Sequence, residues 1–469
     1  MLKRILIVVV AIICALSCGR IEILTDSPKD EKVTPDPQDD DADDVDWAKA
    51  VAYVFDDTII PEIHITVTKE EWERLLALYD QDHDTQEYIH CNVKYRKDKD
   101  VVYVEDAGLR LKGNTSRRRP YDGGKYHHAH FGLDFHQYEK DPQHTVKGLR
   151  KVDLKWFKDD PAYVREIFCY DLFRREDVWT AVRDVYSRLW IKVGDEKEVY
   201  FGVYGMMEHI DKNYLRIRKN QFKDVKGNLW KCSWGANLKN KYASMGVDND
   251  KTKFTYELKT NKAEGFQAAK TQLQDFISHV SSLEGNDFNT WITQHMDIGL
   301  FLKTYAVNVA VGMWDDYWNN TNNYYLYFTS SADSYKVWFI PYDYDNTLGT
   351  TVQCGVQSDA GRHDPLKWGS DDCPLVSKIL MNAHWKSMYV HYLKDMCRSG
   401  GSFHWEESVE RIRKWQGSVN YYVNNDTGED MEIKDKPASW SNHKEYRLLE
   451  DSSSNFFKVK AEVVDKMSI

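Results

Sequence analysis

Residues 313–349 constrain the fold most strongly, because acidic side chains stand at both ends of a predicted β-hairpin. Two apolar runs, at 324–328 and 337–340, flank a polar turn at residues 330–334, and this pattern is typical of an antiparallel hairpin. In such a hairpin the start of the first strand lies beside the end of the second. The residues just before position 324 and just after position 340 are therefore expected to meet at one edge.

Carboxylates and amides are concentrated at that edge. Asp315 and Asp316 precede the first strand together with four asparagines, and Asp343 and Asp345 follow the second strand. Crowded carboxylates repel one another unless a cation or hydrogen bonds compensate. Hard oxygen ligands of this kind suit Mg²⁺ or Mn²⁺. The sequence therefore predicts a divalent-metal site that holds a phosphorylated substrate.

The net charge of the 469-residue chain is −11, but it is unevenly distributed. Residues 26–46 contain ten acidic and two basic residues, which gives this short segment a net charge of −8. The remainder of the chain is nearly balanced. A nucleic-acid-binding protein should instead carry a basic surface, so a nucleic-acid partner is not expected.

The first eighteen residues have the pattern of an export signal. A positively charged start is followed by an apolar run that is shorter than a membrane span and ends in small residues before Cys18. This ending resembles a bacterial lipoprotein cleavage site and predicts lipidation at Cys18, with simple secretion as the alternative. Residues 19–46 would then be a self-repelling acidic tether. We expect an exported lipoprotein of the cell envelope, on the periplasmic or the surface face, held at the membrane only by its lipid.

The folded part is predicted to be α+β, with a β-rich region at 47–210 and a mainly helical region at 211–469. A cleft between two such lobes would be a natural ligand site. The chain has eight cysteines and no C-x-x-C pair, which disfavours a zinc ribbon or thioredoxin-type site. Cys354 and Cys373 could form a disulfide or remain separate thiols.

A glycine-containing loop follows a predicted strand at residues 108–112. Gly113 allows close approach of the backbone to a ligand, and the hydroxyls of Thr115 and Ser116 can bind phosphate oxygens. Arg110 or Arg117 could pair with the same phosphate. An ordinary polar turn would also explain this stretch.

Two further stretches carry candidate ligand-binding residues. Lys155 ends a predicted strand and Glu166 lies in the following predicted helix, an arrangement that can fix an ammonium group near phosphates. In the strand at 199–207, Met207 could lie against a purine. His128 and His130 share one face of a predicted strand and His127 the other, which disfavours a three-histidine metal site.

Taken together, these stretches resemble the CotH family, the spore-coat protein H type of atypical secretory kinases. The motifs are R-L-K-G-N-T-S, D-L-K-W-F-K-D-D-P-A-Y-V-R-E, F-G-V-Y-G-M-M-E-H-I-D-K, W-D-D-Y-W-N-N-T-N-N-Y-Y-L-Y and F-I-P-Y-D-Y-D-N-T-L-G. The long form with a lipoprotein leader resembles members from Bacteroidetes. The resemblance implies an atypical protein-kinase-like fold that transfers the γ-phosphoryl group of ATP, with Mg²⁺ or Mn²⁺, to a hydroxyl, as on a protein serine or threonine.

The resemblance also implies residue roles. Asp343 would bind the metal, and either Asp315 or Asp316 would be the catalytic carboxylate. In shorter family members this aspartate stands about five residues before a metal-binding asparagine; Asp315 and Asn320 have that spacing, whereas Asp316 and Asn323 are seven apart, and the sequence leaves the pair open. The lysine could be Lys125 or Lys155. The remaining implied nucleotide-binding residues are Arg110, Lys112, Gly113, Asn114, Thr115, Ser116, Glu166, Met207, Glu208 and Ile210. Asp345 is the weakest of the candidate metal ligands.

Three alternatives remain open from the sequence. The protein could be a nucleotide-binding pseudokinase, because ATP is scarce outside the cytoplasm. The D-x-D sequence of Asp343 and Asp345 also suits a metal-dependent glycosyltransferase. A non-enzymatic surface or glycan-binding protein would fit the high aromatic content of 13%. The acceptor would be a protein or a glycan hydroxyl.

Overall fold

The computed structural model describes residues 47–139, 141, 144–247, 253–262, 265–331, 334–352, 358–370 and 372–468. The predicted leader, the tether, Cys18 and Cys354 lie outside these ranges. The pairing of Cys354 with Cys373 and the lipidation of Cys18 therefore remain predictions.

The β-rich region forms a closed seven-stranded barrel in the order β1-β2-β3-β6-β7-β9-β8. Most neighbouring strands are antiparallel, but β1 and β8 pair in parallel and close the barrel. Apolar residues alternate with exposed ones along β2, as a strand with one buried face requires. The strands are β1 (Glu62–Val67), β2 (Ile89–Lys97), β3 (Asp100–Lys112), β6 (His130–Asp134), β7 (Lys151–Trp156), β8 (Asp184–Val193) and β9 (Val199–Glu208).

Short elements cover the barrel. Helix α1 (Trp47–Val54) precedes it, and helix α2 (Lys69–Gln81) buries Trp72, Leu75 and Leu76. Thr68 caps α2 by accepting a hydrogen bond from the Glu71 N–H at 3.2 Å. A two-stranded hairpin, β4 (Tyr121–Asp122) with β5 (Lys125–Tyr126), projects between β3 and β6.

The second half is built on a five-stranded sheet in the order β11-β12-β10-β13-β14, so the prediction of a mainly helical region missed a central sheet. The predicted hairpin is confirmed as β13 (Tyr324–Phe328) and β14 (Val337–Pro341), with Tyr324 opposite Pro341. The short strand that the sequence predicts at residues 227–232 is confirmed as β10 (Asn228–Cys232), and the strands not predicted are β11 (Met245–Val247) and β12 (Tyr256–Leu258). Strands β11 and β12 have three residues each, too short to give a periodic signal.

Helices pack around this sheet and share its core. The apolar periodicity of residues 287–311 predicts one long helix, but the structure has two, because Asp297 caps the second one by accepting from the Leu300 N–H at 3.0 Å. The sequence also predicts a last helix from about residue 443, and in the structure it is confined to residues 456–465. The helices are α3 (Arg165–Arg175), α4 (Lys212–Ile217), α5 (Lys219–Phe222), α6 (Phe266–Ser282), α7 (Gly285–His295), α8 (Ile298–Val311), α9 (Pro374–Met381), α10 (Ala383–Cys397), α11 (Trp405–Val419) and α12 (Phe456–Asp465).

The segment after α11 returns to the barrel. Glu429 receives two hydrogen bonds from Arg118, at 2.7 and 2.9 Å, and contacts His127 Nδ1 at 2.9 Å. This polar contact ties the C-terminal segment to the connection between β3 and β6. None of the helices within the described ranges is both long and apolar enough to cross a membrane.

Candidate functional site

The barrel and the second sheet meet at Lys155, near the end of β7. Its Nζ lies 2.7 Å from Glu166 Oε2 on α3 and 2.6 Å from Asp343 Oδ1 beyond β14. Burial lowers the pKa of Lys155, but Asp343 and Glu166 outweigh it and raise that pKa well above its usual value. The same contacts hold the pKa of Asp343 below its usual value against the effect of burial. We call Lys155, Glu166, Asp343 and Asp345 the lysine–carboxylate cluster.

Helix α3 is fixed so that Glu166 faces Lys155. The carboxylate of Asp160 accepts from the N–H groups of Val164 and Arg165 at 2.7 and 2.8 Å and so satisfies the helix N-terminus. The Arg165 side chain donates to the carbonyl of Thr347 at 3.1 Å. The helix that carries Glu166 is thereby bonded to the loop that carries Asp343.

The Asp343 backbone is in the left-handed region, with φ 64°. Non-glycine residues adopt this region rarely and mainly where the surroundings hold them in place. The Asp343 N–H donates to the hydroxyl oxygen of Tyr170 on α3, at 3.0 Å. This bond and the ion pair with Lys155 therefore fix both the backbone and the side chain of Asp343.

Asp315 lies in a shell of amides. Its Oδ1 accepts from Asn320 and Asn322 at 2.8 and 2.9 Å, and its Oδ2 accepts from Asn323 at 3.1 Å. Burial and the nearby Asp343 raise the pKa of Asp315, and the amide donors oppose this. The loop between Asp315 and β13 is strained, because Thr321 and Asn323 have φ values of 59° and 55°.

Asp316 points away from Asp343 and into the core. It is only 2% exposed. Its Oδ2 accepts from Asn308 on α8 at 2.6 Å, and its Oδ1 accepts from the backbone and side chain of Asn319. Burial raises the pKa of Asp316 to about 7. The sequence left Asp315 and Asp316 equivalent, whereas the structure gives Asp316 a role in holding the loop and leaves Asp315 near Asp343.

The donors around Asp343 fit a divalent cation. Among the described residues, no donor reaches the buried Oδ1 of Asp345, and burial and Asp343 raise the pKa of Asp345 well above its usual value. A cation between Asp343 and Asp345 would offset both the missing donor at Asp345 and the repulsion between the two carboxylates. The amides of Asn320 and Asn323 donate through Nδ2 to Asp315, which leaves their Oδ1 atoms to act as further ligands. The described ranges contain no ready group of three His, Cys, Asp or Glu side chains, so amide oxygens would have to complete the set.

The glycine-containing loop forms a tight turn. Gly113 has φ 99°, and a Cβ there would lie 2.6 Å from Ser116 Oγ. The Arg117 side chain is buried and donates to backbone carbonyls, including that of Thr85 at 2.6 Å, so it supports the turn. Asn114 and Thr115 are exposed at the tip, where Asn114 Oδ1 accepts from Lys253 at 2.8 Å.

The two basic residues on the strand before that loop have barrel partners. Lys112 pairs with Asp153, which also contacts His209 at 3.0 Å. Arg110 donates to Gln86. Burial lowers the pKa of Lys112 to about 8, although Asp153 opposes the effect.

The predicted adenine-facing stretch is largely internal. Met207 is fully buried, Ile210 is 2% exposed, and the buried carboxylate of Glu208 accepts from Arg218 at 2.7 Å. The backbone from Met207 to Glu208 pairs with β7 on one side, and Met207 pairs with β8 on the other. These side chains are therefore core residues, and any nucleotide contact in this stretch is left to the backbone.

Of the three histidines and Lys125, all within the described ranges, only His130 is shown to interact with the lysine–carboxylate cluster: the charges of Lys155 and Asp343 act on it, and its Nδ1 accepts from the N–H of Trp156 at 3.1 Å. His127 contacts Glu429, His128 packs between the rings of Trp156 and Tyr204, and His130 stacks on Trp156. His128 and His130 thus share Trp156 as a neighbour, as expected for two histidines on one face, whereas His127 contacts Glu429. Lys125 is exposed on the β4–β5 hairpin, so Lys155 is the lysine of the cluster.

Two residues that the sequence did not single out belong near this site. Lys231 on β10 pairs with Tyr325, whose ring contacts that of Tyr342, the residue before Asp343. The positive charge of Lys231 lowers the pKa values of both Asp343 and Lys112. Gly205 on β9 pairs with Lys155 on β7. Because Gly205 has no side chain, the carboxylate of Asp184 has space to lie above it. The only sequence signal for Lys231 is a lysine between apolar residues in the L-W-K-C strand. No sequence signal marks Asp184.

Two comparisons with known proteins give matches. The family model described as CotH kinase protein matches residues 109–451, about three quarters of the chain. A curated relative, the inner spore coat protein H of Bacillus subtilis (strain 168), is 26% identical over 208 residues. That alignment covers 44% of this chain and 52% of the relative, so the chain spans about half the length of the curated relative that it matches.

Proposed function

The chain belongs to the CotH kinase protein family, and on this premise we propose that it transfers the γ-phosphoryl group of ATP to a hydroxyl group. The observation that carries the proposal is the position of Lys155, 2.7 Å from Glu166 and 2.6 Å from Asp343. Protein kinases hold nucleotide phosphates with a strand lysine that is paired to a helix glutamate, next to a metal-binding aspartate.

Each residue of the cluster has a role in this proposal. Glu166 orients the Lys155 ammonium so that it can pair with phosphate oxygens. Asp343 and Asp345, with the Oδ1 atoms of Asn320 and Asn323, would hold the metal. When bound, ATP with Mg²⁺ or Mn²⁺ would supply the phosphoryl group and positive charge that offsets these carboxylates.

Asp315 is the proposed catalytic carboxylate. It would orient the acceptor hydroxyl and take its proton as the acceptor oxygen forms a bond to the γ-phosphorus and the bond to the β–γ bridging oxygen breaks. The three asparagine donors hold its two oxygens in one orientation. Asp316 would act only by positioning this loop.

Positive charge from both halves of the molecule would face the nucleotide phosphates. Lys112 and Arg110 lie on β3 and lead into the Gly113–Ser116 turn, and Lys231 comes from β10 of the second sheet. Together with Lys155 they would stabilise charge on the transferring group. The nucleotide would then lie where the barrel and the second sheet meet.

We further propose that the two halves correspond to the lobes of an atypical kinase-like fold. The lysine strand, the glutamate helix, the asparagine loop and the D-x-D follow one another along the chain in the order that a protein kinase uses. Closure of the first half into a barrel by the parallel β1–β8 pair would be a departure from that fold.

The location and acceptor are also proposals. An export signal with lipidation at Cys18 would place the protein in the cell envelope, anchored by lipid alone and separated from the membrane by its acidic tether. A serine or threonine hydroxyl of a protein is the proposed acceptor, and a glycan hydroxyl is the alternative.

A metal-dependent glycosyltransferase is the second candidate, because the Oδ1 of Asp345, which has no donor among the described residues, and the neighbouring Asp343 would also suit a metal that holds a nucleotide-sugar diphosphate. Identifying whether the product carries a phosphoryl or a glycosyl group distinguishes the kinase from the glycosyltransferase. A pseudokinase would bind ATP without turnover, and a surface or glycan-binding protein would bind no nucleotide.

The test is ATP turnover with Mn²⁺ or Mg²⁺, comparing wild type with Asp343→Ala. The matched control is Asp372→Ala, since Asp372 is exposed and pairs only with Lys239 among the described residues. We expect Asp343→Ala to lose turnover and Asp372→Ala to retain it. Equal activity of wild type and Asp343→Ala would show that the site is misassigned.

A further inference from the structure

A cavity lies outside the lysine–carboxylate cluster. It has a volume of about 480 Å³ and lies between the β7–α3 connection and residues 430–439. Phe157 and Tyr163 line one side, and Met431, Lys436 and Ser439 line the other. Its size falls in the range of ligand-binding pockets.

The backbone around this cavity is strained. Asp159, Tyr163 and Asp430 all line it, and all have left-handed conformations, with φ values of 59°, 57° and 48°. A bulky residue such as tyrosine rarely adopts this region unless its surroundings enforce it. Here the Tyr163 hydroxyl donates to the Asp430 carbonyl, and the Tyr186 hydroxyl donates to the Tyr163 carbonyl at 2.6 Å. The strained shape of the cavity is thus held by specific bonds.

The cavity wall continues toward the proposed catalytic carboxylate. Ser439 lines the cavity, and the next residue, Trp440, is 39% exposed, with its ring 6.3 Å from that of Trp314. Trp314 directly precedes Asp315, and its Nε1 donates to the Thr350 carbonyl at 2.8 Å. A chain lying in the cavity and continuing past Trp440 would therefore reach the loop of Asp315.

The opposite wall of the cavity, formed by the β7–α3 connection, is joined to the Lys155–Glu166 pair where the nucleotide is proposed to bind. Phe157 is two residues after Lys155, and Arg165, beside Glu166, donates to the carbonyl of Lys436 at 3.2 Å. The same short connection thus supports both the cavity and the Lys155–Glu166 pair.

The lining chemistry favours a polypeptide over a neutral sugar. Met431 is 45% exposed, and methionine adapts its shape to varied apolar side chains. Within the described part of the chain, neither the Asp430 carboxylate nor the Lys436 ammonium forms an ion pair, whereas Glu432 is neutralised by Lys434 at 2.7 Å. One free charge of each sign beside the apolar side chains of Phe157, Pro161 and Met431 suits a peptide, which offers both kinds of charge and apolar side chains.

We propose that this cavity binds the polypeptide segment that carries the acceptor hydroxyl, and that residues 430–440 guide it toward Asp315. The proposal rests on the proposed function, because it assigns the acceptor side of the same reaction.

The test uses a degenerate library of serine- and threonine-containing peptides with γ-labelled ATP and Mn²⁺ on the full chain. Ser439→Trp fills the cavity and Met431→Ala removes its exposed apolar contact. The matched controls are Ser399→Trp and Met381→Ala, which change an exposed serine and an exposed methionine elsewhere. The KM for a labelled peptide and the Kd for ATP with Mn²⁺ are measured separately.

We expect the two cavity variants to raise the peptide KM by about tenfold or more, without a matching change in the Kd for ATP, and the controls to have the wild-type KM. An unchanged peptide KM in both cavity variants would overturn the inference and leave the proposed function intact. ATP hydrolysis without labelling of any peptide, or labelling of an oligosaccharide panel that the cavity variants reduce, would also overturn it. Absence of both ATP binding and turnover in wild type would remove the proposed function, and the inference with it.

Discussion

The ammonium group of Lys155 lies 2.6 Å from the carboxylate of Asp343, although 188 positions separate the two residues in the sequence. Lys155 belongs to the barrel and Asp343 to the loop after the hairpin of the second sheet. Glu166 completes the contact from α3. The charges that define the site therefore come from three elements, and the site exists only when both halves are folded against each other.

Replacing Lys155 by methionine should reduce ATP turnover by about 10²–10³-fold, the usual loss when one electrostatic group of a catalytic site is removed. Lys125→Met is the matched control, because Lys125 is exposed on the β4–β5 hairpin. Steady-state turnover with Mn²⁺ checks this prediction. Equal losses in the two variants would contradict the assignment of Lys155, and circular dichroism would confirm that both variants fold.

Asp315 and Asp316 should respond differently to conversion to asparagine. Asp316→Asn replaces a buried acceptor of three hydrogen bonds, so the free energy of unfolding should fall by about 1–3 kcal/mol. Asp315→Asn also replaces an acceptor of three amide hydrogen bonds and should lose a similar stability, but it alone should lose turnover by about 10²-fold or more. Urea unfolding and turnover measured on both variants decide the matter. The reverse pattern would make Asp316 the catalytic carboxylate.

The Glu429 contact predicts a loss of stability in acid. Burial raises the pKa of Glu429, but hydrogen bonds from Arg118, His127 and the His128 N–H outweigh it and lower the pKa to about 2. A carboxyl with a depressed folded-state pKa stabilises the fold above its unfolded pKa, and this stability is lost as pH falls from about 4.5 toward 2. We expect a contribution of about 1–2 kcal/mol, reduced by partial exposure.

Urea unfolding of Glu429→Gln between pH 7 and pH 3 tests this contact. The variant should be less stable than wild type at pH 7 and should approach it as pH falls. Glu432→Gln is the control, since Glu432 is exposed and pairs with Lys434. A constant difference between wild type and Glu429→Gln across this range would contradict the prediction.

Nucleotide affinity should weaken above pH 8 if Lys112 binds phosphate. Burial lowers the pKa of Lys112 to about 8, so its ammonium is charged at pH 7 and largely neutral at pH 9. Loss of one charge-assisted hydrogen bond would raise the Kd for ATP by roughly tenfold. In Lys112→Arg the side chain should stay charged at pH 9, so this pH dependence of the Kd should disappear. Lys69→Arg is the control and should show the same pH dependence as wild type. Calorimetric titrations at pH 7 and pH 9 measure the effect.

Local patterns predicted much of the secondary structure. Two continuous apolar runs on either side of a polar turn located the hairpin strands. The boundary at Asp297 was missed, because apolar periodicity continues through the cap between α7 and α8. Strands β11 and β12 were missed because three residues give no period. Closure of the barrel was not predictable, since the β1–β8 pairing joins residues more than 120 positions apart.

Short-range periodicity and turn chemistry, which act over a few residues, are enough to predict the hairpin, the carboxylates Asp315, Asp316, Asp343 and Asp345 at its two ends, and a strand lysine followed by a helix glutamate. The packing of distant segments was needed to show that Lys155 rather than Lys125 meets Asp343, that Asp316 turns into the core while Asp315 lies near Asp343, and that Lys231 joins them. Those choices depend on which side chains are desolvated together when the barrel and the second sheet pack, and burial of that kind is set by contacts between residues far apart in the chain.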